Sequence, residues 1–284
     1  MATHYLITGA AGMLGQDLQA ALAGRAVTAL ARAELDITDP DAVATAAAGH
    51  DVIINAAAYT KVDDAETHED LAHAINATGA ANLARAAADT GARLVQVSTD
   101  YVFDGTATTP YPEDAPLNPV SAYGRTKAAG EQLATALHPT GTVIVRAAWL
   151  YGAHGPNFAK TMLRLASSHD TVSVVNDQIG QPTWTLDLAQ QIVALLDADA
   201  PAGVYHATNS GSGSWFDFAQ AVFREAGLDP ARVEPTDSSQ FVRPAPRPAY
   251  SVLGHGAWAR IGLTPLRDWR DALADAAAQG VLGA

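Results

Sequence analysis

The sequence predicts an α/β protein built on a doubly wound parallel sheet. Short apolar runs alternate with alanine-rich helical stretches through the first half of the chain, the rhythm of βαβ units. The apolar runs are near-continuous, as strands covered by helices on both faces require. Gly9, Gly12 and Gly15 fall where the first run gives way to the first helix, a position where such sheets bind phosphates.

Taken in order, "HYLITG" (4–9) reads as a buried strand. "MLGQDLQAALAG" (13–24) follows as a helix with Leu14, Leu18 and Leu22 at helical spacing and Gly24 as its C-cap. "AVTAL" (26–30) is the second strand, and "DPDAVATAAAG" (39–49) a helix with an Asp cap and Pro40 in its first turn. "DVIINAAA" (51–58) is the third strand, "EDLAHAINATGAANLARAAADTG" (69–91) one long helix, and "ARLVQVSTD" (92–100) the fourth strand. "SAYGRTKAAGEQL" (121–133) is helical and "GTVIVRAAWLYG" (141–152) a strand. Beyond it, 157–168, 185–198, 214–227 and 265–280 read as helices and 203–209 as a strand, with a proline-rich polar stretch over 228–256. The expected organisation is a dinucleotide-binding domain over 1–150 and a smaller C-terminal α/β region over 151–284. That region mainly binds substrate, with some of its elements returning to the first sheet.

Composition sets limits. With 284 residues, 48% of them hydrophobic, the chain is long enough for a sizeable core. No cysteine is present, which excludes disulfides, thiol nucleophiles and cysteine metal sites and fits a reducing cytoplasm. The N-terminus shows no secretory pattern, and no apolar run reaches the roughly 18 residues of a membrane span. A net charge of -13 argues against nucleic-acid or anionic-membrane partners.

The glycine loop makes the fold Rossmann-like. Gly9 suits the tight turn, Gly12 a close backbone approach to a pyrophosphate, and Gly15 the packing of helix on strand. The helix N-terminus adds free N–H groups and a positive dipole. At the end of the second strand, "TALARAELD" places Arg32 where a 2′-phosphate would lie. NADPH is therefore favoured, with Glu34 on the ribose diol and NADH as the alternative. Asp36 and Ile37 are expected along the adenine edge.

Tyr123 and Lys127 are four residues apart and share a helix face. An ammonium beside a phenol favours the phenolate, and such a tyrosine can hand a proton to a carbonyl oxygen as hydride arrives. "VQVSTDYVFDG" ends a strand at Ser98, Thr99 and Asp100, with Ser98 and Thr99 on opposite faces. "VDDAETHED" (62–70) reads as helix capping rather than a metal cluster. His138, His154 and His206 lack ligand spacing, and Trp215, Phe216 and Phe218 read as core.

A phosphate loop, a Ser/Thr strand end and a Y-x-x-x-K helix, in that order, resemble the extended short-chain dehydrogenase/reductases. "NAAAYTKVDDAE" (55–66), "STDYVFDG" (98–105), "YGRTK" (123–127), "NFAKTML" (157–163), "NDQIGQPT" (176–183) and "RPAYSVL" (247–253) narrow the resemblance to the dTDP-4-dehydrorhamnose reductase family, over nearly the whole chain. That resemblance implies Thr99, Tyr123 and Lys127 as the catalytic set, with Tyr123 and Lys127 also holding the nicotinamide ribose. It implies Gly9, Gly12, Met13, Leu14 and Gly15 along the pyrophosphate and Ala56, Ala57 and Ala58 on the nicotinamide side. For a dTDP-sugar it implies Asp100, Trp149 and Asn157, with Arg247 on the diphosphate and Arg243 a lesser candidate. Some members dimerise through magnesium held by glutamates. Here Asp17 stands near the first such position and Leu186 and Asp187 near the second, so no metal-bridged dimer is expected, and a monomer or weak homodimer is.

The implied activity is NADPH-dependent reduction of the C4 carbonyl of a dTDP-4-keto-6-deoxy sugar, dTDP-4-dehydro-L-rhamnose first among them. Three alternatives stay open: reduction of another nucleotide 4-keto-deoxysugar, epimerisation or dehydration, and a noncatalytic dinucleotide-binding regulatory subunit. Dehydratases of this type place Asp-Glu after the threonine, whereas Thr99 and Asp100 are followed by Tyr101.

Overall fold

A computed structural model of the chain describes residues 2–283. Its central element is a six-stranded parallel sheet. The strands are β1 (His4–Thr8), β2 (Ala26–Leu30), β3 (Val52–Asn55), β4 (Arg93–Thr99) and β5 (Thr142–Ala147), with a sixth over Gly203–His206. The spatial order is β2-β1-β3-β4-β5 followed by Gly203–His206. The chain winds outward from β1 to β2, then crosses back to β3 on the other side. Ligands of open α/β sheets sit where that reversal occurs, at the carboxyl ends of the strands.

Strand alternation divides the core. Tyr5 and Ile7 of β1 face one side, packed with Leu14 and Leu18 of α1 (Met13–Ala21) and Leu188 and Ile192 of a later helix. Leu6 faces the other, packed with Val43 of α2 (Pro40–Ala47) and with Leu83. Asp39 caps α2 as expected, accepting from the backbone N–H of Asp41 and Ala42. Short helices α3 (Val62–Ala65) and α4 (Glu69–His73) precede α5 (Gly79–Thr90).

The single helix expected over 69–91 is interrupted. A π-helical turn at Ala74–Thr78 separates α4 from α5. It turns Asn76 into the interior, where its amide bonds both the N–H and the carbonyl of Tyr59 and the Thr126 hydroxyl. Those polar bonds compensate the disturbed helical ladder. The strand expected over 141–152 is also shorter. It ends at Ala147, and Trp149 takes a left-handed φ of 48° that turns the chain out of the sheet.

Helix α6 (Ala122–Leu137) begins at Ser121, whose hydroxyl accepts from Gly124 N–H. Gly124 lets it lie against the preceding turn: a Cβ there would come within 2.2 Å of the Tyr101 carbonyl oxygen. On its inner face Glu131 forms a buried ion pair with Arg146 of β5. The guanidinium also donates to the Glu113 carbonyl and to His206 Nε2, whose Nδ1 then donates to the Gly254 carbonyl.

The remaining helices are α7 (Phe158–Ala166), α8 (Thr185–Asp197), α9 (Trp215–Glu225), α10 (Gly256–Arg260) and α11 (Trp269–Ala278). α8 covers the main sheet beside α1. α7, α9 and α11 enclose a second core around Trp184, Phe218, Phe223 and Trp269. A two-stranded parallel ribbon, Val172–Val175 on Val233–Thr236, flanks this core. Among the described residues no helix is long and apolar enough to cross a membrane.

Two outcomes follow from the buried network. Glu131→Gln leaves Arg146 buried without its counter-charge, and denaturant unfolding will show a loss of about 3–5 kcal/mol; a loss below about 1 kcal/mol would contradict that account. Burial and Arg146 hold the His206 pKa down at about 3, against 6.5 in an open chain. The unfolded state therefore binds a proton that the folded state refuses. The His206 contribution is complete above about pH 6.5 and is lost as pH falls toward 3, so stability against pH will be less steep there in His206→Gln than in the parent.

Candidate active site

The loop from β1 into α1 matches a phosphate cradle. Gly9 has φ +71°, and a Cβ on it would lie 2.6 Å from the Ala57 nitrogen. A Cβ on Gly15 would lie 2.3 Å from the Gly9 carbonyl oxygen. Both glycines are therefore dictated by backbone approach. Gly12 begins α1 with no side-chain cap, leaving the N–H groups of Met13, Leu14 and Gly15 for an anion. Under the loop, Thr8 donates to Asn55 at 2.7 Å and Asn55 to Gln96 at 2.8 Å, a buried polar chain across β1, β3 and β4. Asn55 Oδ1 also accepts from Ala57 N–H, which fixes the half-buried Ala56–Ala58 segment beside the glycine loop.

Arg32 is exposed just past β2. Glu34, the alternative ribose ligand, has its carboxylate turned back onto the Ala31 N–H at 2.9 Å. Asp36 binds both the N–H and the hydroxyl of Thr38, which holds its pKa below the usual carboxylate range. Ile37 is buried against Gly79, with its carbonyl accepting from Asn82. The structure thus gives Asp36 a turn and Ile37 a core position.

Thr99, Asp100, Tyr123 and Lys127 converge at the carboxyl end of β4, all buried. Ser98 points the other way, and its hydroxyl has no hydrogen-bond partner. Thr99 Oγ donates to Asp100 Oδ1 at 2.9 Å and lies near the Tyr123 phenol. The expected tuning of Tyr123 by Lys127 needs correction. Lys127 Nζ donates to the Val97 carbonyl at 2.6 Å, and burial lowers its pKa to about 8. Burial instead raises the Tyr123 phenol to about 12, with the Thr99 hydroxyl opposing and the Asp100 charge assisting. Burial disfavours the charged form of each group, which raises the phenol and lowers the ammonium.

Tyr101 follows on the 3-10 turn Asp100–Val102. Its ring meets that of Tyr123 edge-on at 5.6 Å, and the Arg247 guanidinium lies over the ring at 6.0 Å. Tyr101 forms part of the wall of a cleft of about 370 Å³ that also meets Arg247, Arg243 and Asp63 on one side and Phe158 and Trp215 on the other. Arg247 pairs with Asp63 at 3.0 Å, and Arg243 approaches the same carboxylate at 3.9 Å. Trp149 stacks on Trp215 at 3.6 Å between centroids, with Gly180 close beneath its indole. Asn157 caps α7, accepting from Lys160 N–H and donating to the Gly152 carbonyl, so much of its amide is engaged locally.

The sequence did not place Tyr101, Asp63 and Trp215 in the cleft: Trp215 reads there as core and Asp63 as helix capping. Their partners lie from 22 residues (Tyr123) to 184 residues (Arg247) away in the chain, and no local spacing signals such contacts. Asp17 is buried with Oδ2 unpartnered, and His154 stands 3.9 Å away. Asp187 is bound by Arg267 and Asn209. No group of three or more potential metal ligands converges among the described residues.

Residues 3–281 match the family described as RmlD substrate binding domain. A dTDP-4-dehydrorhamnose reductase of Streptomyces griseus is 52% identical over 96% of this chain and 92% of its own length. A dTDP-4-keto-6-deoxy-D-glucose reductase of Streptomyces niveus is 50% identical over 97% of each. A solved dTDP-4-dehydrorhamnose reductase of Bacillus anthracis in complex with NADP superposes with a TM-score of 0.95 at 40% identity, covering 98% of this chain and all of that one. With an uncapped glycine loop, a buried tyrosine and lysine at the end of β4, and a match spanning nearly its whole length, this chain belongs to the RmlD substrate binding domain family, the family of the dTDP-4-dehydrorhamnose reductases.

Proposed function

We propose that this protein reduces the C4 carbonyl of a dTDP-4-keto-6-deoxy sugar with NADPH, converting dTDP-4-dehydro-L-rhamnose to dTDP-L-rhamnose. The observation that carries this reading is the buried Thr99–Tyr123–Lys127 set beside a glycine loop shaped for a pyrophosphate. Residues 1–150 would hold the cofactor and 151–284 mainly the sugar nucleotide, in a cytoplasmic monomer or weak homodimer.

NADPH, when bound, supplies hydride. The residues of the chain do the rest. Tyr123, with its pKa held at about 12, is a neutral phenol at pH 7 and so carries the proton that the carbonyl oxygen needs. Thr99 is placed to hold that oxygen. Lys127 lies one turn further along the same face of α6 with Nζ on the Val97 carbonyl, suited with Tyr123 to hold the nicotinamide ribose as the family resemblance implies. Arg247 presents a guanidinium suited to a diphosphate, and Asp63 occupies it until such an anion arrives. Tyr101 stands where a dehydratase of this type carries its second acid, which favours net reduction.

The relative of Streptomyces niveus, named for the D-glucose-configured substrate, is about as similar as the rhamnose-named one. The configuration of the keto sugar is therefore a second reading, decided by running both substrates side by side.

Tyr123→Phe will lower kcat by about 10²–10⁴-fold while NADPH affinity, read by fluorescence, changes little. Full turnover by this variant would falsify the assignment. Arg32→Ala will raise the KM for NADPH by about tenfold, the weight of one charge-assisted contact, and leave that for NADH unaltered; equal effects on both would assign the 2′-phosphate elsewhere.

A further inference from the structure

Behind Tyr123 lies a buried run of exchangeable protons that the mechanism above leaves unused. Thr99 Oγ donates to Asp100 Oδ1 at 2.9 Å and lies near the Tyr123 phenol. Asp100 is 1% exposed, and its Oδ2 completes no hydrogen bond. Ser251, from the "RPAYSVL" segment and equally buried, lies against the same carboxyl. Burial pushes that carboxyl up to about 6, with Ser251 and Thr99 opposing. The titratable groups facing it are Tyr101 on its own turn and Tyr123 from α6. Both are raised by burial and so neutral through the working range. Ser251 brings no charge from the C-terminal segment.

We propose that Asp100 is the proton reservoir for Tyr123, reached through the Thr99 hydroxyl. This rests on the reductase reading and goes beyond the direct sugar contact that the family resemblance implies for Asp100. With Asp100 protonated, its O–H donates to Thr99, and the Thr99 O–H turns from the carbonyl oxygen to the Tyr123 oxygen as the phenol gives up its proton. As the carbonyl carbon takes up hydride, its oxygen takes the Tyr123 proton. The phenolate takes the Thr99 proton and Thr99 takes that of Asp100. Tyrosine and threonine end as they began, one carboxylate remains, and water reprotonates it when product leaves. With Asp100 ionised the chain reverses: Thr99 donates to Asp100, and Tyr123 donates to Thr99, away from the substrate. Ionisation thus empties the reservoir and misdirects the donor.

The test is the kcat–pH profile of the NADPH-loaded enzyme with the keto sugar. The parent will lose kcat along a limb as pH rises, and near-isosteric Asp100→Asn will abolish that limb and lower kcat by about 10²-fold, with KM within about threefold. Ser251→Ala removes a hydroxyl whose presence favours the charged form, so the limb will shift to higher pH by about half a unit or more; this decides the case if Asp100→Asn folds poorly. A limb unchanged in Asp100→Asn, or a rise in KM alone, overturns the relay and leaves the reductase reading intact. Infrared spectra of the NADPH complex without sugar judge it independently of turnover. A protonated-carboxyl band that disappears in Asp100→Asn is required, and its absence at pH 5 overturns the proposal even if the sugar has been misassigned.

Discussion

The placement of α6 depends on a buried pair of opposite charges. Glu131 and Arg146 have side chains only 5% and 4% exposed. Charges so buried are costly unless every donor is matched. Here Arg146 places Nε and Nη2 on Glu131 and Nη1 on the Glu113 carbonyl and on neutral His206. The requirement to satisfy one guanidinium locks α6, β5, the strand Gly203–His206 and the loop at 113 into a single arrangement. It also lines up three ionisable side chains, Tyr123, Lys127 and Glu131, along one inward face of α6 at four-residue steps.

With the far end of α6 held by charge, its near end is held by shape. The missing Cβ of Gly124 admits the Tyr101 carbonyl, and Asn76, turned inward by the π turn, grips Thr126 between the two catalytic candidates. Rigid placement has an electrostatic consequence. Sealing Tyr123 and Lys127 from water drives their pKa values apart in the directions that favour the neutral forms. The pair is therefore poised as a proton-carrying phenol with a cation close to its own titration point, rather than as a preformed phenolate.

The outer half of the site works with exposed rather than buried charge. A chain of net charge -13 must attract an anionic ligand with local features. Such features are present: the uncapped start of α1 and the exposed Arg32, and Arg247 with Arg243 in the cleft. Asp63 keeps the second pair of cations ordered in the free protein. Opposite it, the stacked Trp149 and Trp215 join the end of β5 to α9, and the left-handed backbone at Trp149 is what turns the indole toward that partner.

What the sequence determined by itself is local. The order of strands and helices, the cap at Asp39, the glycine loop and the Tyr123–Lys127 face are all written in period, spacing and backbone requirement, each set within a few residues of chain. The ends of elements were less legible, because the interruption at 74–78 and the exit at Trp149 answer to distant partners. Tertiary structure alone decided the pairing of Asp63 with Arg247, the stack of Trp215 on Trp149 and the seating of Ser251 on Asp100. It also decided that burial, rather than the Lys127 charge, governs Tyr123. Attraction between two charges can be inferred from a spacing of four residues, whereas desolvation depends on how much of the remaining chain closes over them.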